Sequence, residues 1–416
     1  MLLCLMGIVT AQAAEPPHSR WKIGAPIVTY WAGPGFPYGG PPLTNAAVQL
    51  LKEGGWNLVW CQENTLPVVQ RHGLRGLLTN PLLTPASLDD PQKREALEAL
   101  VSRVKRQRAF YAYFLGDEPR ADLFPGLGRL IRFLREKDPD HLAYANLFPS
   151  YASPEQLGTG GDPVLAYQAY LDRFVQTAEP ALLSYDHYQF QVNGDAPGYF
   201  QNLALVRRKA LAERLPFLNI VQACTWSSAF RAPNEAQMRY LHYTTLAYGG
   251  QGISHYVYSH LGHVPGVVDA EGKPTPVYGW LQTLNRDFRA IATELQPLQS
   301  LGAYHAGMVP PGADPLPQDA AFTFDPPLPA TEFKSLQRVT GALLGVFGRP
   351  NKKDGTPTHV LVVNLDYAAE TTLHVRGPAP LEVFDPASGK WSSVGGTVAE
   401  LRLSGGGGKL LRVRRN

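Results

Sequence analysis

Two acidic motifs carry residue types that could perform acid–base chemistry. In FLGDEPR (residues 114–120), Asp117 and Glu118 follow an apolar run and precede a proline. In LLSYDHYQF (residues 182–190), Asp186 follows a second apolar run and is flanked by aromatic residues. Carboxyl groups at the end of a buried strand are costly to desolvate unless they are paired or used. The two motifs therefore mark candidate functional carboxyls.

Both motifs also have structural interpretations. Asp117 could cap the next helix while Glu118 pairs with Arg120 or another arginine, and Asp186 could be a turn residue held by backbone N–H groups. The adjacency of two acids favours chemistry, because the carboxylate of Asp117 raises the pKa of Glu118 by like-charge repulsion. A raised pKa suits a general acid near neutral pH. We predict that Glu118 acts chemically and that Asp117 supports it.

The elements that must position these acids form a repeating pattern. Eight apolar, β-prone runs alternate with helical patterns, and one helix is signalled by the cap Asp90 and by Pro91. Eight repeats predict an α/β fold with parallel strands closed into a (β/α)8 TIM barrel. No G-x-G-x-x-G follows the first run, which disfavours a doubly wound nucleotide-binding sheet. The runs are 23–31, 56–62, 74–79, 110–117, 142–148, 181–188, 216–226 and 252–259.

The pattern changes near residue 300, after a long helical stretch that begins at Pro276. Short alternating runs then follow, separated by turn signals such as Asp-Gly at 354–355 and the glycines at 405–408. This spacing is typical of an antiparallel sandwich. We predict a barrel domain over residues 20–300 and a small C-terminal antiparallel β-sandwich domain over residues 301–416.

The active site of a (β/α)8 barrel lies at the carboxyl ends of its strands. Those positions here are rich in carboxyl, carboxamide and aromatic groups, which bind sugar hydroxyls and pack on sugar rings. Cleaving a glycosidic bond needs one protonated and one ionised carboxyl, and we assign these to Glu118 and Asp186. Trp31, Tyr188, Trp226 and Tyr258 are expected to form a sugar platform. The predicted substrate-binding residues are Tyr30, Trp31, Glu63, Asp117, Asn146, His187, Tyr188, Gln222, Trp226 and Tyr258.

Composition and missing motifs argue against other classes. The chain has 38 basic and 35 acidic residues, a balance that gives no reason to expect nucleic acid or membrane as a partner. There is no G-x-S-x-G nucleophile motif and no phosphate-binding glycine loop. His255, His260 and His263 lack convincing metal-ligand spacing, so no metal and no cofactor are predicted. Cys61 and Cys224 are predicted to be buried free thiols.

Residues 1–14, MLLCLMGIVTAQAA, are apolar and end in the small-x-small pattern that signal peptidase accepts. The stretch is too short to span a bilayer. We predict a signal peptide and an exported protein, periplasmic or extracellular. The alternative is a weakly apolar N-terminus on a cytoplasmic enzyme. The expected partner is an oligo- or polysaccharide substrate, and nothing in the sequence specifies the oligomeric state.

Asp117-Glu118-Pro119 at the end of the fourth run resembles the Asn-Glu-Pro or Asp-Glu-Pro signature of clan A glycoside hydrolases, a barrel superfamily that includes many β-galactosidases and β-mannanases. Residues 240–258 resemble the passage from helix seven to strand eight in family 42-like barrels. Residues 276–300 resemble the last helix of those barrels, which leads into a C-terminal β domain. The resemblance implies that Glu118 is the acid/base.

The seventh run departs from the clan A pattern. Clan A enzymes carry a nucleophilic glutamate at the end of strand seven, whereas NIVQACTW (residues 219–226) has Gln222 and no carboxylate. Asp186 could be the second carboxylate, as in barrels related to α-galactosidases, whose pair lies on strands four and six. Glu63 could be recruited instead, or the site could bind sugar without cleaving it. We predict a glycoside hydrolase that uses Glu118 and Asp186; the alternative is a non-catalytic carbohydrate-binding barrel.

Overall fold

A computed structural model describes residues 19–349 and 356–414 of the protein. The predicted signal peptide, residues 1–14, lies outside the described residues. The first part of the chain alternates strands with helices, as the sequence pattern predicts. The strands are β1 Ile27–Trp31, β2 Leu58–Cys61, β3 Arg75–Leu78, β4 Phe110–Asp117, β5 Leu142–Asn146, β6 Leu183–His187, β7 Phe217–Gln222 and β8 Gly252–Tyr256.

Nine α-helices are present among the described residues. α3 begins as its sequence predicts, because the Asp90 side chain accepts hydrogen bonds from the backbone N–H groups of Gln92 and Lys93. The helix at 163–178 was not predicted. Its buried positions include the bulky aromatics Tyr167 and Tyr170, not a simple leucine repeat. The helices are α1 Asn45–Glu53, α2 Leu66–Arg71, α3 Pro91–Val104, α4 Phe124–Lys137, α5 Pro154–Leu157, α6 Pro163–Ala178, α7 Tyr199–Glu213, α8 Glu235–Ala247 and α9 Pro276–Leu295.

The eight strands form two parallel sheets of four, in the orders β2-β3-β4-β5 and β1-β8-β7-β6. The two sheets meet at the edge strands β5 and β6. There the Leu147 N–H donates to the Ser184 carbonyl at 2.9 Å, and Leu147 pairs in parallel with Tyr185. The other edges meet where the Asn57 N–H donates to the Val28 carbonyl at 2.9 Å. Both sheets therefore present the carboxyl ends of their strands at one end of the molecule, where the predicted site residues lie.

The C-terminal part consists of a seven-stranded and a three-stranded sheet, paired almost entirely antiparallel. In β11, Val360 and Val362 join the apolar core between these sheets, whereas Leu361 and Val363 pack with the core of the parallel sheets and helices. The strands are β9 Gln299–Gly307, β10 Gly341–Gly348, β11 Pro357–Asn364, β12 Thr371–Arg376, β13 Leu381–Asp385, β14 Lys390–Ser393, β15 Val398–Leu403 and β16 Gly408–Val413, with two-residue strands at Asp314–Pro315 and Thr323–Phe324.

Cys61 and Cys224 are both buried and free, as predicted. Within residues 19–349 and 356–414, no helix combines the length and the apolar character that crossing a membrane requires.

Gly345 on β10 allows the larger C-terminal sheet to approach α8 closely. A Cβ atom at this position would lie 2.4 Å from the carbonyl oxygen of Ala247, the last residue of α8. Neither neighbour can move easily, because Gly345 lies within β10 and the Ala247 oxygen belongs to the backbone of α8. The contact therefore depends on the absence of a side chain at residue 345.

We expect Gly345→Ala to lower the free energy of unfolding by about 1–3 kcal/mol, because overpacking forces backbone to shift. Gly279→Ala is the matched control. A Cβ atom at Gly279 in α9 meets nothing within 4 Å, so this change should raise the free energy of unfolding by about 0.5–1 kcal/mol. Denaturant titration measures both values. A fully stable Gly345→Ala variant would contradict the close packing of β10 on α8.

Candidate active site

Three carboxyl groups meet at the carboxyl ends of β4 and β6, with Asn146 of β5 between them. The Asn146 side chain donates from Nδ2 to Asp117 Oδ1 at 3.1 Å and to Asp186 Oδ1 at 2.9 Å. The side chain of Glu118 is hydrogen-bonded to that of Asp186. Acids from two separate sequence motifs thus form one cluster.

The structural alternatives for these acids are not seen. Arg120 contacts Asp122 and donates to the Glu155 carbonyl instead of pairing with Glu118. The side chain of Asp186 accepts from the Asn146 side chain and interacts with Glu118. In the described structure these acids are therefore stabilised by their interaction with one another and by the Asn146 amide, and not by an arginine.

The orientation of the Asn146 amide follows from its other neighbours. The Ser184 hydroxyl donates to Asn146 Oδ1 at 2.9 Å, and the Tyr144 hydroxyl lies 3.1 Å from Ser184 Oγ. Asn146 and Ser184 are fully buried. Since Oδ1 is occupied as an acceptor, the amide must present its two N–H groups to the acids.

Glu118 reaches Asp186 because the backbone at the end of β4 is irregular. The register against β5 shifts between Phe114 and Gly116, which marks a β-bulge. Glu118 itself has a φ of +44°, in the left-handed region, and its N–H donates to the Asn146 carbonyl at 2.9 Å. A non-glycine residue in this region costs about 1–3 kcal/mol, and such strain is concentrated at functional sites.

Burial raises the pKa of every acid in the cluster, and like charge raises the pKa of Glu118 and Asp186 further. Burial on one side raises the pKa of Asp117 to about 6, although this residue stays open to solvent on the other. Burial and the charge of Asp117 raise the pKa of Glu118 to about 7. Burial, then the charges of Glu118 and Asp117, raise the pKa of Asp186 well above its ordinary range.

Asp186 and Glu118 titrate as a pair that shares one proton. Asp186 is only 3% exposed, whereas Glu118 is partly exposed, so ionisation is more costly for Asp186. Burial therefore favours keeping the shared proton on Asp186 and leaving Glu118 ionised. The motif predicts the protonated role for Glu118, whereas the deeper burial of Asp186 favours the opposite distribution of the proton. With this distribution, the site holds one acid and one carboxylate side by side above about pH 7.

An aromatic wall flanks the acids, formed by Tyr188, Trp226, Phe230 and Tyr256. The rings of Tyr188, Trp226 and Tyr256 lie 4.7–4.9 Å from one another, and Phe230 stacks on Trp226 at 4.3 Å. The charge of Asp186 contributes to the raised pKa of both tyrosines, so their hydroxyls lie near the acid. Two members, Tyr188 and Trp226, match predicted sugar-platform residues.

Tyr151 is a neighbour of the acids that sequence reasoning missed. Tyr151 is 52% exposed, and the charges of Asp186 and Glu118 contribute to its raised pKa, which places its hydroxyl near the acids. An aromatic residue in the loop after the fifth strand was the available signal. Tyr256, the last residue of β8, is not among the predicted substrate-binding residues, and the structure places it in the wall.

His187 lies beside the cluster and is neutral. Burial lowers its pKa to about 4, and its Nδ1 lies 3.0 Å from Asn202 Oδ1, which also accepts from the Ser150 N–H. Nδ1 must therefore carry the proton. Its Nε2 is a buried acceptor without a hydrogen-bond partner in the described structure, and the Tyr151 ring lies edge-on at 5.0 Å.

Three predicted sugar-binding aromatics pack in the core instead of lining the wall. Tyr258 is 1% exposed and lies 5.1 Å from the ring of Tyr30, whose hydroxyl donates to the Pro34 carbonyl. Trp31 is also buried, against Trp60. The ends of β1 and the segment after β8 turn these side chains away from solvent, which a strand-end position in the sequence does not reveal.

Gln222 holds loops instead of presenting a free amide. Its Oε1 accepts from the Phe190 N–H at 2.8 Å, and its Nε2 donates to the Arg231 carbonyl at 2.8 Å and to the carbonyls of Phe190 and Cys224. A carboxylate here would face three carbonyl oxygens. The position at which clan A enzymes carry their nucleophile therefore requires a donor in this chain.

Glu63 does not join the acid cluster. Its two carboxylate oxygens accept from Arg103 at 2.6 and 3.0 Å, and this pairing lowers the pKa of Glu63. Glu63 is thus a surface ion-pair residue, and the second carboxyl beside Glu118 is Asp186. In the described part of the chain, no group of three or more His, Cys, Asp or Glu side chains could hold a metal ion.

A cavity of about 1150 Å³ lies at the other end of the parallel sheets, bounded by residues that precede β6, β7 and β8. Its carboxylates include Glu179 and Glu213, which pair with Arg135 and Lys209. None of the clustered acids lines it. Both of these carboxylates are paired with basic side chains. We therefore place the candidate active site at the acid cluster and not in this larger cavity.

Comparison with solved structures identifies the fold. A structure described as a glycoside hydrolase matches with a TM-score of 0.54 and 13% identity over 92% of each chain. β-Galactosidases from Marinomonas ef1 and Rahnella sp. R3 each match with a TM-score of 0.50, at 9% and 12% identity, over 68% and 70% of this chain. The chain shares the fold of these glycoside hydrolases. It spans 63% and 59% of the two β-galactosidase chains. No protein-family model and no curated protein match the sequence.

Replacing Glu118 by Gln should stabilise the protein at pH 8. The pKa of Glu118 in the folded protein, about 7, lies above its ordinary value of 4.5. The folded protein therefore loses stability as pH rises through this interval. A neutral amide avoids that loss, and Gln keeps the side-chain size and the backbone conformation. We expect the free energy of unfolding to rise by about 1–3 kcal/mol at pH 8. The gain should shrink towards zero at pH 4.5 in denaturant titrations.

Glu63→Gln is the matched control for this measurement. The pKa of Glu63 is lowered by Arg103, so the same chemical change should slightly reduce stability at pH 8, by less than about 1 kcal/mol. A loss of stability in Glu118→Gln at pH 8 would show that the surroundings favour the ionised Glu118 and would refute the pKa assignment.

Proposed function

We propose that this protein is a glycoside hydrolase that cleaves a glycosidic bond in an oligo- or polysaccharide with Glu118 and Asp186. The supporting observation is the meeting of the Glu118 and Asp186 carboxyl groups beside an aromatic wall. The fold shared with glycoside hydrolases agrees with this proposal. We also propose that the two parallel sheets close into one (β/α)8 barrel, since backbone hydrogen bonds join both pairs of edges.

Hydrolysis needs one carboxyl to protonate the leaving oxygen and another to attack the anomeric carbon or activate water. In the proposed mechanism the Asp186 carboxyl gives its proton to the glycosidic oxygen, which leaves as an alcohol when its bond to the anomeric carbon breaks. The Glu118 carboxylate attacks the anomeric carbon or removes a proton from the water that attacks it. The aromatic wall packs on the sugar face, and the Tyr188 and Tyr256 hydroxyls lie within the same site. Water then restores the proton to the pair.

A bound sugar must separate the two carboxyls. They are hydrogen-bonded in the structure, whereas retaining and inverting enzymes hold their carboxyls roughly 5 Å and roughly 6.5–9.5 Å apart. Glu118 is the member that can move, because it lies at a bulge and is partly exposed, whereas Asp186 is fixed by Asn146. The resemblance to family 42-like barrels fits this proposal, with strand six supplying the second carboxyl in place of strand seven.

A second candidate function is sugar binding without cleavage. It is favoured by one observation: Gln222 occupies the strand-seven position with a structural amide. The aromatic wall and the Asn146 amide would still bind a sugar in that case. Export to the periplasm or the extracellular space remains our proposal for the location, based on the apolar residues 1–14.

Wild-type protein should release reducing sugar from at least one member of a panel of oligosaccharides and aryl glycosides. Glu118→Gln and Asp186→Asn should each reduce kcat by about 100-fold or more, because each removes one of the two carboxyl functions. Affinity for the substrate, measured by calorimetry, should change by less than about tenfold. Glu63→Gln should keep wild-type activity. Binding without turnover in the wild type would support the non-catalytic function.

The pH dependence of kcat/KM tests which carboxyl holds the proton. With Asp186 protonated and Glu118 ionised, activity should fall as pH drops through about 7, because Glu118 takes up a second proton. Asp117→Asn removes a neighbouring negative charge, lowers the pKa of Glu118, and should move this limb to lower pH. A fall with rising pH through about 7 would instead assign Glu118 the general-acid role that its motif predicts.

A further inference from the structure

The two loops that carry three of the four residues of the aromatic wall are both attached to the C-terminal sheets. The loop after β6 holds Tyr188 and forms a small hairpin from Phe190–Gln191 and Gly194–Asp195. The Asp195 N–H donates to the Leu336 carbonyl at 3.2 Å. Gly194 has a φ of +141°, and a Cβ atom there would lie 2.0 Å from the Leu336 oxygen. The segment that enters β10 therefore fixes this hairpin.

Asp195 forms a second, more polar attachment. Its carboxylate is 3% exposed and accepts from the Tyr367 hydroxyl at 2.9 Å and from Arg231 Nη2 at 2.6 Å. Gln189 Nε2 lies 3.3 Å from the same carboxylate, and Arg231 Nη2 lies 3.3 Å from the Tyr367 hydroxyl. Asp195 belongs to the loop after β6, Arg231 to the loop after β7, and Tyr367 to the turn after β11. One buried carboxylate thus joins both loops to the C-terminal sheets.

Ring contacts reinforce this junction. The Arg231 guanidinium lies over the Phe190 ring at 4.8 Å, and the Tyr367 ring meets Phe190 edge-on at 5.8 Å. Gln222, the last residue of β7, hydrogen-bonds the backbones of Phe190 and Arg231. Phe190 is two residues from Tyr188, and Arg231 follows Phe230, so the junction is adjacent in the chain to two members of the wall.

We propose that Tyr367 is a positioning residue, through which the C-terminal sheets set the place of the aromatic wall and thereby the affinity for sugar. The proposal rests on the proposed function for its effect on sugar, but not for the attachment itself. Tyr367 does not reach the acid cluster, and it acts through Asp195 and the two loops. The C-terminal sheets are therefore part of the binding site's construction.

Tyr367→Phe tests the attachment, because it removes the hydroxyl that donates to Asp195 and keeps the ring that packs on Phe190. We expect amide hydrogen exchange to become several-fold faster in residues 190–195 and 226–231. We expect KM for a cleaved glycoside to rise about tenfold with kcat within twofold of wild type, since loss of one hydrogen bond to a charged group has about this effect. A purely structural role would lower the amount of folded protein without changing KM.

Tyr111→Phe is the matched control, because it also removes one tyrosine hydroxyl, which donates to the Ile23 carbonyl at 2.8 Å near the start of β4. It should change neither exchange in the two loops nor KM. Unchanged loop exchange in Tyr367→Phe would overturn the proposal, even if activity fell. If no glycan is bound or cleaved by the wild type, the proposed function fails, while faster loop exchange in Tyr367→Phe would still support the attachment.

Discussion

The site depends on the Asn146 amide, which holds two carboxyl groups that would otherwise repel each other. Its two N–H groups face Asp117 and Asp186 because Ser184 occupies its oxygen. Carboxyls in contact cannot all ionise at little cost, so one proton stays in the cluster. This constraint creates an acid and a base side by side without a metal ligand or an arginine among their contacts in the described structure. A residue with two donors is needed at this position, and Asn supplies them.

The same arrangement destabilises the fold locally. Glu118 adopts a left-handed backbone conformation, and burial disfavours the ionised forms of all three acids. Two apolar cores oppose this cost: one around the parallel strands and helices, the other between the C-terminal sheets. Local strain persists only where the surroundings over-determine it. The regular hydrogen bonding of β4 to β5 on one side of the bulge, and the Asn146 carbonyl on the other, provide that constraint.

Much of the architecture could be predicted from the sequence, because an apolar run that ends in polar residues marks both a strand and its functional end. This logic located Glu118, Asp186, Asn146 and Tyr188. It could not decide which way a strand-end side chain points, since local turns re-aim it, and Tyr258 therefore lies in the core while Tyr256 lies in the wall. The relative burial of Glu118 and Asp186 was also hidden, because burial is a tertiary property.

The amide of Gln222 affects both the chemistry available at the end of β7 and the position of the neighbouring loops. A strand-seven carboxylate would be repelled by the carbonyl oxygens of Phe190, Cys224 and Arg231, so the loops and a strand-seven nucleophile exclude each other. With the amide in place, the second carboxyl of the proposed mechanism comes from another strand, and β6 is adjacent to β7. Asp186 then lies next to the loop that the same amide holds. The departure from the clan A pattern and the loops that support the aromatic wall thus have one physical origin.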